Sequence, residues 1–113
     1  MWWVWAAACG PSDGAFVTDY VEQTCTLLLD CYEPSALAFD GIDSFDTCLG
    51  VYGPPVEDLR LACTFDRKAA RDCLDALPDA ACPADGETLE AALPVACDSV
   101  FVQCQGSADE TGV

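Results

Sequence analysis

Ala15-Phe16-Val17-Thr18-Asp19-Tyr20-Val21-Glu22-Gln23-Thr24-Cys25-Thr26-Leu27-Leu28-Leu29-Asp30-Cys31-Tyr32 is the longest stretch of this chain that keeps one periodicity. Phe16, Val17, Tyr20, Val21, Cys25, Leu28 and Tyr32 recur at about 3.6 residues, which predicts an amphipathic helix with Asp13 placed to cap it. Cys25 and Cys31 are six positions apart, so on a helix they point about 120° away from each other. They cannot bond together, and each must reach a different partner.

The same signals continue downstream. Pro34 interrupts, and Ser44 then stands as the cap of a second helix with Phe45, Cys48, Leu49 and Tyr52 on one face. Gly53-Pro54-Pro55 reads as its end, with Pro55 opening a third helix through Val56, Leu59 and Cys63. Asp66 to Leu77 predicts a fourth, with Ala69, Ala70, Cys73, Leu74 and Leu77 inward and Pro78 as the stop. Asp79 to Gly86 reads as a loop pinned by Cys82. Glu87 to Leu93 is expected to be helical, and Pro94 to restart the chain into a final helix reaching Cys104. On that helix Cys97 and Cys104 would stand about 10.5 Å apart along the axis, so they too must bond outward. There is no sustained apolar alternation and no Asn-Gly turn, so no strand is expected.

Nine cysteines divide into Cys9 and an even set: Cys25, Cys31, Cys48, Cys63, Cys73, Cys82, Cys97 and Cys104. The even set reads as a disulfide framework, which belongs to oxidising compartments. The expected fold is all-α, a small disulfide-stapled bundle of four or five short helices. Eight cysteines allow about 105 connectivities. The single pairing favoured is Cys31 with Cys48, joining the end of the first helix to the second. The expected organisation is a signal-like apolar segment over 1–8, a tether over 9–14, the cysteine-rich domain over 15–104 and a flexible tail over 105–113.

The chain carries 20 acidic and 4 basic residues, a formal charge of −16. That balance argues against nucleic acid and anionic surfaces as partners. All four cations, Arg60, Arg67, Lys68 and Arg71, fall in one stretch. Lys68 with Asp72 and Arg71 with Asp75 are spaced for pairing on a helix surface. Histidine, the commonest catalytic base, is absent. So are a glycine-rich phosphate loop, a Gly-x-Ser-x-Gly elbow and any Cys-x-x-Cys doublet for redox or zinc chemistry. Asp40, Asp43 and Asp46 lie near one another, as do Asp79, Asp85, Glu87 and Glu90. Neither group follows the order of an EF-hand loop. No enzyme, cofactor, metal or small-molecule substrate is therefore expected. No Asn is present, so there is no N-glycosylation acceptor.

Trp2-Trp3-Val4-Trp5-Ala6-Ala7-Ala8 ends in small residues at Cys9, followed by Gly10. Ala6-Ala7-Ala8-Cys9 resembles the box at which bacterial lipoproteins are cleaved and lipidated. Met1 to Ala8 is short for an export signal and carries no Lys or Arg, so the true start is expected upstream. The alternatives are an ordinary export signal, or tryptophans packed in the core with Cys9 a free or intermolecular thiol. From Ala6 to Cys104 the chain resembles the small Ala- and Asp-rich, cysteine-rich lipoproteins of myxobacterial-type Gram-negative bacteria. The resemblance rests on Ala6-Ala7-Ala8-Cys9 and the eight spaced cysteines. Those proteins are mostly of unknown function, and the leading expectation here is a non-enzymatic domain held to the outer membrane by a lipid on Cys9, with a protein partner or an envelope-structural role. The other expectation is a soluble, secreted inhibitor or effector module. Lipid on Cys9 separates the two.

Overall fold

Ser12 is where the first helix starts. Its hydroxyl accepts from the Ala15 amide at 3.2 Å, and α1 runs over Asp13–Cys31. Ser12, rather than Asp13, is thus the cap; Asp13 lies in the first turn, where a carboxylate favours the helix dipole. The computed structural model describes residues 10–84 and 87–104. The signal-like segment, Cys9, Asp85 and the tail lie outside them. The expected tether does not hold as drawn. Asp13 and Gly14 are helical, and at Gly10 (φ 95°) an added Cβ would stand 2.7 Å from the Arg67 carbonyl.

Pro34 opens a short helix rather than only breaking one: α2 spans Pro34–Ala38, with Leu37 buried. α3 spans Phe45–Ala62. Its start is a reciprocal cap in which the Ser44 hydroxyl accepts from the Thr47 amide and the Thr47 hydroxyl from the Ser44 amide. The expected break at Gly53-Pro54-Pro55 does not occur, and the second and third helices are one. Pro54 and Pro55 have no N–H, so the carbonyls of Gly50 and Val51 lose their helical donors. Both residues are exposed, where water can take up those carbonyls, and the helix continues.

Asp66 caps α4, Arg67–Ala76, through the Ala69 amide at 3.0 Å; a 3₁₀ turn, Leu77–Asp79, follows. The helix expected over Glu87 to Leu93 narrows to α5, Leu89–Ala92. The expected final helix is replaced by a 3₁₀ turn, Val95–Ser99, and a short strand. β1 (Thr64–Phe65) pairs antiparallel with β2 (Phe101–Val102), Thr64 opposite Val102 and Phe65 opposite Phe101. The Asp66 amide extends the pairing to the Val100 carbonyl at 2.8 Å. Burial explains the override. Phe101 as a strand residue stands 5.7 Å from both Phe16 and Phe65, ring centre to ring centre, which extends an aromatic cluster.

All eight described cysteines are paired: Cys25–Cys48, Cys31–Cys82, Cys63–Cys104 and Cys73–Cys97. Cys25 and Cys31 reach different partners, in keeping with the geometry of α1; Cys97 and Cys104 also part, although the helix expected to carry both is absent. The expected pairing of Cys31 with Cys48 is wrong. Cys25 lies on the buried face of α1 with Val21 and Leu28, so it is Cys25 that meets Cys48 on α3. Cys31, turned about 120° away, takes the loop at Cys82. The fold is a small disulfide-stapled helical bundle with two cores. One gathers Val21, Cys25, Leu28, Leu37, Ile42, Cys48, Val56 and Leu89; the other gathers Phe16, Ala70, Cys73 and Val100. α1 belongs to both.

Candidate functional site

Tyr20, Val21 and Thr24 sit at i, i+1 and i+4 of α1, so the helix presents them together on its inner side. Opposite stand Val51, Tyr52, Pro55 and Val56 of α3, and Leu89 and Leu93 at α5 close a third side. These residues and Asp40 line a cleft of about 550 Å³. A smaller recess of about 270 Å³, walled by Leu28, Tyr32, Ala36 and Leu37, shares Asp40, Tyr52 and Leu89 with it. The two make one trough along the α1/α3 seam. Cys25–Cys48 ties the same two helices.

One buried side-chain polar atom among the described residues has no hydrogen-bond partner. Thr24 is 3% exposed, and its Oγ1 is buried and unpaired. Other α1 threonines behave differently: the Thr18 hydroxyl donates to the Gly14 carbonyl at 3.3 Å, and that of Thr26 to the Glu22 carbonyl at 2.9 Å. A threonine on a helix has this back-bond within reach, so Thr24 departs from the habit of its own helix. No signal in the sequence marks it, because it falls on the apolar stripe of Val21, Cys25 and Leu28, where a β-branched residue fits by shape.

The strong electrostatic contacts lie elsewhere. Arg60 donates to Glu57 through Nε at 3.0 and 2.9 Å and through Nη2, and its Nη1 stands 3.6 Å from Asp13. The hydrogen bond from Arg60 holds the Glu57 carboxyl below its ordinary range, and the same bond raises the guanidinium. Lys68 reaches Asp72 at 3.0 Å, as its spacing predicts, and that bond lowers the Asp72 carboxyl. Arg71 stands 3.6 Å from Asp72.

Several of the carboxylates singled out in the sequence are used locally. Asp43 accepts from the Thr47 hydroxyl at 3.0 Å, Asp46 lies in the first turn of α3, and Asp40 stands exposed on the trough's rim. Asp79 ends a 3₁₀ turn, and the Glu87 carboxylate accepts from the Ala84 amide at 3.3 Å. Among the described residues no three His, Cys, Asp or Glu side chains gather to hold a metal ion. No described helix is long and apolar enough to cross a membrane. Four bridges in so short a chain speak for an oxidising, extracytoplasmic location.

No protein family, curated protein or solved structure matches the chain.

Proposed function

We propose that this chain is a non-enzymatic exported domain, anchored to the bacterial outer membrane by a lipid on Cys9 and acting in protein interaction or envelope structure. The observation that supports the reading is the pairing of the cysteines. The eight in the described residues are consumed by one another, so the chain offers Cys9 no cysteine partner. A lone cysteine behind Ala6-Ala7-Ala8 in a disulfide-rich exported chain suits acylation. Multiple acyl chains give stable membrane attachment where a single chain does not. Gly10 seated on Arg67 gives the anchor little slack, so the domain would ride close to the bilayer with the α4 end toward it.

The test is made on native protein from the producing cells. Detergent partitioning and a diacylglyceryl mass increment on an N-terminal peptide beginning at Cys9 are expected. Cys9→Ser should release the protein or leave it unprocessed. Recovery of a native mature chain that still contains Trp2 to Trp5 overturns the proposal.

A further inference from the structure

We infer that the face around Gly10 is a docking surface for anionic lipid head groups, on which Arg67, Lys68 and Arg71 meet the phosphates of the leaflet that holds the Cys9 lipid. Such docking rests on the proposed anchor and specifies the chemistry of the surface beneath the domain. The chain has only four cations, and the fold brings them to the place where the anchor enters. An added Cβ on Gly10 would lie 3.1 Å from the Arg67 Cγ and 3.4 Å from the Arg71 Cβ, so both stems flank the residue that follows Cys9. Lys68 stands beside Arg67 in the first turn of α4, and Arg60 returns to Asp13, close to Gly10 in the chain. One residue step, about 3.8 Å, separates Gly10 from Cys9, so a lipid there brings these cations within reach of head groups.

Charge separation decides the occupant. The acids bonded to these cations or capping α4 are Asp13, Glu57, Asp66 and Asp72, so this pole is neutral and the net −16 lies elsewhere. α1 leads away from it for 19 residues, about 28 Å, against a screening length of about 10 Å at 0.1 M salt. Acids toward its far end, such as Asp30, are therefore screened from a leaflet beneath Gly10. Arg67 is exposed and makes no ion pair among the described residues. The Lys68 side chain is 78% exposed and paired at the surface with Asp72. Exposed pairs of this kind are weak, and a phosphate takes a guanidinium in two parallel hydrogen bonds, so head groups can displace them. The same net charge repels an anionic surface from the free molecule, so the docking needs the tether.

Lys68 is the chain's one lysine and serves as the reporter. The oxidised full-length chain is coupled through the Cys9 thiol to a maleimide-headed lipid in vesicles. Acetylation of Lys68 by the neutral reagent N-acetoxysuccinimide is then followed by peptide mass. Lys68 should react at least about fivefold more slowly on phosphatidylcholine vesicles holding about 30% phosphatidylglycerol than on phosphatidylcholine alone, and about 1 M salt should remove the difference. Uncoupled chain should show no difference between the two vesicles. Arg67→Glu should bring the two rates within about twofold with an unaltered far-UV spectrum, and Asp40→Asn, outside the pole, should change neither. Equal rates on the two vesicles, a difference that survives the salt, or full protection in a folded Arg67→Glu chain would each overturn the inference. Protection in the coupled chain with no lipid on native Cys9 would support the cationic face and overturn the anchor; lipid on native Cys9 with equal rates would do the reverse.

Discussion

Gly10 and Thr24 show how single positions carry demands that their identities do not announce. At Gly10 the backbone adopts φ 95°, and the Arg67 carbonyl would stand 2.7 Å from a Cβ. Both obstacles act against any L side chain, so Gly10→Ala should lower stability by about 1 to 2 kcal/mol and loosen the α4 contact. Urea unfolding reads the first effect, and faster amide exchange at the start of α1 reads the second. Thr24 makes the opposite prediction. Its hydroxyl is buried and unpaired, so Thr24→Val should leave the thermal midpoint unchanged or raise it, by up to about 1 kcal/mol in stability. A clear loss would mean that the hydroxyl is satisfied in solution. At this scale the sequence was partly legible. Helix geometry was enough to show that Cys25 and Cys31 part company, whereas Thr24 looked like any β-branched residue on a buried stripe.

Among the elements, α3 departs furthest from its sequence reading. Gly53-Pro54-Pro55 carries strong breaking signals, yet the helix passes through because Val56, Arg60 and Cys63 have core, ionic or covalent commitments beyond it. Arg60 returns to Asp13 of α1, and Cys63 is bonded to Cys104. Pro54→Ala restores a donor to the Gly50 carbonyl and should stabilise the protein by about 1 to 2 kcal/mol, after allowing for the freer unfolded chain. Ser44→Ala should cost about 1 kcal/mol, because the Thr47 amide loses its acceptor at the start of the same helix. Denaturant midpoints of the two variants should therefore move in opposite directions. β2 was illegible for a related reason. Cys97, Val100, Phe101 and Cys104 have helical spacing, but bonds to Cys73 and Cys63 and the aromatic cluster around Phe16 reward an extended path more.

For the molecule as a whole, two small cores must oppose a charge of −16. The bridges close loops of 23, 51, 41 and 24 residues in sequence separation. Chain-entropy reasoning assigns each about 3.5 to 4 kcal/mol taken alone, and less together because the loops overlap. Reduction at neutral pH and low salt should abolish most of the far-UV helical signal, with partial recovery near 1 M salt, where screening falls to about 3 Å. A reduced chain that keeps a cooperative transition would refute the dependence on staples. Acid acts in two directions on the oxidised protein. Protonating part of the carboxylates relieves self-repulsion, so the thermal midpoint should rise as pH falls from 7 toward about 5. Glu57 and Asp72 are held below their ordinary values in the folded state. Their stabilisation is present above the unfolded value and is lost as pH falls through the folded one, so the midpoint should drop below about pH 4. Calorimetry across that range reads both limbs.

Helical class, the cap at Ser44, the separate partners of Cys25 and Cys31 and the oxidising compartment were all determined by the sequence alone. These depend on spacing within one turn or two, or on composition. Which faces meet was decided only by tertiary structure. Periodicity marks that a face is buried but not against what, so the partners of Cys25 and Cys31, the passage of α3 through Pro54 and Pro55, and the β1/β2 pair could not be read in advance. The trough belongs to the same class. Tyr20, Thr24, Asp40, Tyr52 and Leu89 come from four separate segments, and only the packing of α1 on α3 brings them around one cleft.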